Sequence, residues 1–288
     1  MFTVGIIVNP EKPKAHDVAL QLLHLLEEKK VKVYIEPEVA KRFDRLEIQL
    51  TKKQFPHRVQ LIFVIGGDGT LLGIARQFAP YDIPILGINV GYLGFLSEAE
   101  PEDLSSAVDR LLAGDYDIEK RLMLKAELIR EGKVLKKGIA LNDVGIAKGS
   151  FSRMVDATVY MDGMFVGKYS GDGVIVSTPT GSTAYSLSCG GPIVSPDIQT
   201  ILLTPICPHT LTSRPMVLPA KSVLEVKVSA HHTEMGMTID GQMGYDLQSG
   251  DIVRVQRSHH RTLLVKWKER SFFEVVRKKL QGEGVSER

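Results

Sequence analysis

Asp68 is the only charged side chain in the run Gly66-Gly67-Asp68-Gly69-Thr70. Glycines at 66, 67 and 69 remove side chains where backbone amides could approach a ligand closely. The residues that follow, Thr70 to Phe78, read as the start of a helix, and a helix N-terminus attracts phosphate. A carboxylate is a poor phosphate ligand in such a place, but it suits a base, a metal ligand or both. Considered without a ligand, the same residues form a tight strand-to-helix turn with Asp68 capping the helix.

Two other stretches have the makings of a site. In Leu141-Asn142-Asp143-Val144 an amide and a carboxylate stand together at a strand edge, where they can read a diol or a ring nitrogen by donating and accepting hydrogen bonds. A polar turn between strands is the structural alternative. Asp172-Gly173-Val174-Ile175-Val176 is an apolar strand that feeds a long hydroxyl- and glycine-rich run, Ser177 to Pro192, almost without charge. Such a run offers neutral donors and acceptors plus close backbone approach, as a nucleotide requires. Thr180 to Ser182 are also placed to cap a short helix over Thr183 to Ser188.

These residues need elements to hold them. Leu61 to Ile65 is a continuous apolar run, the pattern of a strand covered on both faces. Strands are expected at 3–8, 31–35 and 83–89, and helices at 15–30, from Thr70, and at 101–113, with a helix and loop over 38–58. Asn9 ends the first strand, where open α/β sheets place ligands, although a turn before Pro10 explains it equally. Strands alternating with helices imply a parallel sheet covered on both faces. After Gly114 the pattern changes to short β-rich runs at 122–130, 133–147, 156–165, 173–177, 222–230 and 251–257. Asp162-Gly163, Asp240-Gly241 and Ser249-Gly250 read as hairpin turns. The expected architecture is an α/β domain over 1–118 and a predominantly β domain of layered sheets over 119–267. An amphipathic helix at 271–280, in a tail over 268–288, packs back on the first domain.

Composition narrows the function. With 36 basic and 34 acidic side chains the formal net charge is +2, which gives no general argument for nucleic acid or membrane binding. The apolar fraction of 43% and charged fraction of 24% are those of a globular protein. The two cysteines, Cys189 and Cys207, have no metal-ligand spacing, and a reduced cytoplasmic setting is expected. No apolar run is long enough to span a bilayer, and the start of the chain lacks the basic segment of a signal peptide. Neither Gly-x-x-x-x-Gly-Lys-Ser/Thr nor, after the first strand, Gly-x-Gly-x-x-Gly is present, which argues against a P-loop enzyme or an ordinary dehydrogenase.

Taken together, Gly66 to Thr70, Asn142-Asp143 and Thr178 to Pro192 resemble the NAD kinase family. Asn89 to Leu96 and Pro208 to Leu211 fit as well, in the same order, so the resemblance spans most of the chain. The glycine-aspartate motif is shared with lipid kinases and phosphofructokinases, whereas the Thr178–Pro192 run is far more specific. The resemblance implies transfer of the terminal phosphoryl group of ATP, or of polyphosphate, to the 2′-hydroxyl of the adenosine ribose of NAD, giving NADP. It also implies a divalent metal, usually magnesium, and homodimers or homotetramers with shared sites.

Carried over position by position, Asp68 is the catalytic base and Gly66, Gly67, Gly69 and Thr70 hold phosphate, with Asp68 and Gly69 also touching NAD. Asn142 and Asp143 hold its ribose, Phe95 stacks near adenine, and Thr183, Ala184, Tyr185, Ser186, Leu187 and Ser188 contact adenosine. Asp172 is expected at the nicotinamide end of a neighbouring subunit's site, and Arg153, Ser170, Cys207 and Gln242 are further NAD positions. No metal ligand is assigned. Three positions depart from many relatives: Asp143 is a methylene shorter than glutamate, Ser170 replaces a basic residue that Lys168 does not restore, and Cys189 replaces alanine, as a small buried residue. A diacylglycerol- or sphingosine-type lipid kinase would need neither Asn142-Asp143 nor the Thr183–Ser188 run. A non-catalytic NAD(P)-binding regulator would keep both and lack Asp68.

Overall fold

The computed structural model describes residues 2–91, 94–149, 153–230 and 234–281. The chain divides into two compact units, Met1–Lys120 with Thr262–Arg288, and Arg121–Arg261.

The first unit runs β1 (Thr3–Val8), α1 (Pro13–Glu28), β2 (Lys32–Ile35), α2 (Pro37–Arg42), β3 (Leu61–Gly66), α3 (Asp68–Phe78), β4 (Ile85–Asn89) and α4 (Leu104–Ala113). Its strands pair in parallel in the order β2-β1-β3-β4. Every residue of β3 and of β4 is buried, as strands covered by helices on both faces require. On α1 the buried side chains Val18, Ala19, Leu22, Leu23 and Leu26 keep helical spacing and join β1, β3 and α4 in one core. The loop after β4 includes Tyr92 and Leu93, which lie outside the described residues.

β5 (Asp117–Arg130) leads from the first unit into the second, which continues with β6 (Lys133–Ala140), β7 (Asp143–Lys148), β8 (Val155–Met161), β9 (Met164–Gly171) and β10 (Gly173–Ser177). After α5 (Tyr185–Ser188) come β11 (Thr200–Ile206), β12 (Met216–Pro219), β13 (Leu224–Ser229), β14 (Met235–Ile239), β15 (Met243–Leu247) and β16 (Ile252–Lys266). One antiparallel sheet has the order β12-β11-β10-β7-β14-β15. In the other, β13 pairs antiparallel with both β16 and β8, β8 with β9, and β5 with β6. Alternate residues of both sheets, among them Val144, Ile146, Val174, Val176, Val226 and Val228, meet in a single core.

The turns explain the sheet. Asp162 and Gly163 both have positive φ (51° and 83°), as do Asp240 and Gly241 (50° and 63°), the signature of two-residue hairpin turns. Ser249-Gly250 is a turn but not a hairpin, because β15 and β16 belong to different sheets. The single expected strand over 133–147 is two, broken at Leu141-Asn142. The strand β11, fully buried, was not expected; Pro205 interrupts its sequence pattern but lies beyond the residues that pair with β12.

The tail returns to the first unit. Val265 and Trp267 belong to its core, and Leu264 pairs with Ile85. Glu98, 1% exposed, accepts hydrogen bonds from Lys266 Nζ (2.6 Å) and the Trp267 amide (2.9 Å), and its carbonyl accepts one from Arg270 (2.7 Å). Arg110 stacks over the Trp267 ring at 4.5 Å and pairs with Glu269 at 2.8 Å. The helix α6 (Phe272–Gln281) follows, with Val275 buried.

Candidate active site

In the first unit the phosphate candidate is a strand, a glycine turn and a helix. The helix begins at Asp68 rather than Thr70, and Gly67 is its N-cap in extended conformation, with no side chain capping it. The capping reading of Asp68 is thereby excluded. Its half-buried carboxylate turns to the loop after β4, where Oδ2 accepts from the Phe95 amide (2.8 Å) and Oδ1 from the Leu96 amide (3.4 Å). That loop comes so close that a Cβ on Gly94 would stand 1.8 Å from Asp68 Oδ1. Phe95 contributes its amide here, and its ring is half-buried. Gly66 is needed for a similar reason, since a Cβ there would meet Thr70 Oγ1 at 2.6 Å.

Asn9 serves the turn: its Nδ2 donates to Thr70 Oγ1 (2.9 Å) and its Oδ1 accepts from the Glu11 amide (2.9 Å). Lys12 is a residue that sequence reasoning missed. Its Nζ lies 3.3 Å from the point where a Gly67 Cβ would be and 3.7 Å from that of Gly91. An ammonium beside an uncapped helix N-terminus adds positive charge where phosphate would bind. A lysine three residues after the first strand's Asn9 was the available signal.

In the second unit a corner at 141–143 is built from three directions. Asp240, at the β14–β15 turn, accepts the amides of Leu141 (3.1 Å), Asn142 (2.7 Å) and Asp143 (3.1 Å). Thr178 donates its hydroxyl to the Leu141 carbonyl (2.6 Å) and its amide to that of Asn142 (2.8 Å). A Cβ on Gly181 would lie 2.1 Å from the Asn142 carbonyl oxygen, so this run requires glycine. Asn142 is half-buried and Asp143 is 6% exposed. Burial first, and the Asp240 charge second, push the Asp143 carboxyl up to about 7.

The hydroxyl run divides into structural and accessible members. Ser182 exchanges hydrogen bonds with the Val194 backbone (3.2 and 3.0 Å), and buried Ser186 pairs with Thr204 at 2.8 Å. The expected helix over 183–188 is a 3-10 turn, Thr180–Thr183, then Ala184, then α5, and no side chain caps either piece. Thr183 donates to the Thr180 carbonyl (3.2 Å); Ala184 and Leu187 are half-buried; Tyr185 and Ser188 are exposed. Of the predicted adenosine contacts, Ser186 therefore acts on the shape of this segment and its hydroxyl faces the core.

Tyr185, Cys189, Cys207 and Asp172 are electrostatic neighbours. Burial foremost, then the Cys189 and Cys207 thiols, push the Tyr185 phenol up, and burial likewise pushes the Cys189 thiol up. Cys189 is half-buried rather than buried, and a raised thiol is a poor nucleophile. Exposed Cys207 takes φ of 43°, an uncommon conformation outside glycine. Asp172 pairs with Lys148 at 3.1 Å. The Ser170 hydroxyl donates to Asp156, which also pairs with Lys168 at 2.8 Å, so both residues near the missing basic position are drawn to one carboxylate. Arg153 and Gln242 are exposed, Gln242 in the β14–β15 turn. Among the described residues no three His, Cys, Asp or Glu side chains are grouped to hold a metal. Magnesium needs no such cage, because it is held by one or two carboxylates with water and substrate phosphates, and Asp68 fits that demand.

The comparisons with known proteins bear on the whole chain. Residues 4–116 match the family described as ATP-NAD kinase N-terminal domain, and residues 141–267 match the ATP-NAD kinase C-terminal domain. An NAD kinase of Moorella thermoacetica is 45% identical over 284 residues, covering 99% of this chain and 91% of the relative. One of Heliobacterium modesticaldum is 44% identical over 282 residues, 98% of this chain and 99% of the relative. Among solved structures, yeast NADH kinase complexed with NADH is 28% identical with a TM-score of 0.89, covering 100% of this chain and 89% of the other.

Proposed function

The chain belongs to the NAD kinase family, and from that premise we propose how its residues divide the reaction. The activity is that of an NAD kinase, a phosphotransferase that uses ATP as donor and makes NADP from NAD. A lipid kinase is not favoured.

Phosphoryl transfer is mainly positioning and charge stabilisation, with a carboxylate to orient or deprotonate the attacking hydroxyl. Asp68 is that carboxylate. The observation that carries this is its placement: the first residue of α3, its oxygens held by the amides of Phe95 and Leu96. Held in this way it is the group assigned to take the proton of the ribose 2′-hydroxyl. Gly66, Gly67, Gly69 and Thr70 hold the donor phosphates through the helix N-terminus, and Lys12 adds a cation there. Asn142 and Asp143 hold the ribose of NAD, Phe95 lies near adenine, and Thr183, Ala184, Tyr185, Leu187 and Ser188 line the adenosine, with Ser186 shaping them. Arg153, Ser170, Cys207 and Gln242 complete the NAD contacts. A divalent metal bound with the donor phosphates, probed first as magnesium, supplies charge neutralisation.

Asp172 acts in the site of a neighbouring subunit in a homodimer or homotetramer. Among the described residues no helix is long and apolar enough to cross a membrane. NAD and ATP are the proposed partners, and the cytoplasm is the proposed setting.

The test is to incubate the protein with NAD, ATP and magnesium and follow NADP with an NADP-specific dehydrogenase, with polyphosphate as a second donor. Asp68→Asn should lower turnover by ~10²–10⁴-fold while NAD binding survives. Near-full turnover in that variant removes Asp68 as the base.

A further inference from the structure

The hairpin turn between β14 and β15 lies almost 100 residues from Asn142 in sequence, at Asp240, yet it controls the strand edge on which Asn142 and Asp143 stand. Asp240 is 7% exposed. One of its oxygens accepts from the Asn142 and Asp143 amides and the other from Leu141, while its own amide donates to the Asp143 carbonyl (2.9 Å). A carboxylate that gathers three successive amides replaces the ladder partner that the chain lacks where it leaves β6 and enters β7. We infer that Asp240 is a positioning residue for the acceptor half of the reaction: by fixing the backbone of 141–143 it sets the direction in which Asn142 and Asp143 meet the ribose of NAD. This rests on the proposed ribose contact of those two residues.

Two features separate this from an ordinary turn former. Asp240 has φ of 50°, a conformation that aspartate and asparagine tolerate, so the turn alone would be served equally by Asn. Only the carboxylate has the acceptors for three amides. Its charge also acts on Asp143, whose carboxyl is raised by burial and by Asp240; among the described residues the Cys189 thiol at the end of α5 in turn feels the Asp143 charge. Asp240 thus fixes the Asp143 backbone and, after burial, adds to the rise of its carboxyl.

The experiment is steady-state kinetics of Asp240→Asn between pH 5.5 and 9. The KM for NAD should rise roughly tenfold, the loss expected when a charged acceptor of a buried amide becomes neutral, with the KM for ATP unchanged. In the unaltered enzyme kcat/KM for NAD falls as pH drops through about 7, where Asp143 takes up its proton; in the variant that limb moves to lower pH. An unmoved limb, or equal rises in both KM values, overturns the inference. Should the Asn variant not fold, Asp240→Glu keeps the charge one methylene further out: the KM for NAD rises and the limb stays, and an unchanged KM overturns the inference. Asp143→Asn tests the underlying reading separately, because if that variant keeps the normal KM for NAD and the limb near 7, Asp143 does not touch the ribose.

Discussion

Asp143→Asn removes a carboxyl that is 6% exposed, lies beside the Asp240 carboxylate and titrates at about 7 in place of the ordinary 3.8. The native state therefore holds this proton more tightly than the unfolded chain does. Stability from the group is full below about pH 3.8 and is lost as the pH rises through about 7. At about 1.4 kcal/mol for each pH unit, ionising Asp143 in place destabilises the fold by at most about 4 kcal/mol above pH 7. Asparagine has the same outline and no charge. At pH 8 the variant should be more stable by roughly 2–4 kcal/mol, which for a protein of 288 residues raises Tm by roughly 3–7 °C. At pH 5 the gain should shrink by more than half. Thermal melts of both proteins at pH 5, 6, 7 and 8, followed by circular dichroism, measure this directly. A gain that does not grow with pH, or a loss of stability at pH 8, would refute the reasoning. NADP formation should fall in the same variant, since a ribose-binding carboxylate and an optimally stable fold make opposing demands on one position.

Other expectations are independent of Asp143. Lys12→Met should raise the KM for ATP roughly tenfold and leave the KM for NAD unchanged, on the scale of one lost charged contact to phosphate; steady-state titration of each substrate decides it. Gly94→Ala inserts a methyl group 1.8 Å from Asp68 Oδ1. Either the carboxylate or the loop must move, and turnover should fall ~10²-fold, the effect of a misplaced reacting group, read in the coupled NADP assay. Glu98→Ala removes the buried carboxylate shared by Lys266 and Trp267 and should destabilise the protein by ~3–5 kcal/mol in urea melts.

Much of this arrangement was legible in the chain because it is local. The apolar run Leu61–Ile65 ending in two glycines specifies a buried strand that turns at once into a helix, and Asp162-Gly163 and Asp240-Gly241 specify hairpins through the conformations that only such residues adopt readily. What escaped is tertiary. Nothing near Asp68 indicates that its carboxylate faces Phe95 and Leu96, and nothing near Asp240 beyond a turn signal indicates three amides from 141–143. Lys12 reads as an ordinary charged loop residue until the fold brings it over Gly67. Ser182 and Ser186 look equivalent to their hydroxyl neighbours in sequence, but burial commits them to Val194 and Thr204. The edges of α1 and α3 each fell two residues earlier than the apolar periodicity implied, since Pro13 and Asp68 start helices that their side-chain pattern does not mark.

The hold of Glu98 on Lys266 and Trp267 also bears on the order in which the protein can be made. Residues 121–261 form a contiguous stretch, whereas the α/β core takes Val265 and Trp267 from beyond it. On the ribosome, the β unit can close its sandwich as soon as its own last strand emerges. The α/β unit, whose first strands precede the β unit in the chain, lacks two of its core side chains and the partners of Glu98 until the residues that follow the β unit emerge. Its phosphate turn precedes the β unit in the chain, but the core beneath that turn is finished only by residues that follow the β unit.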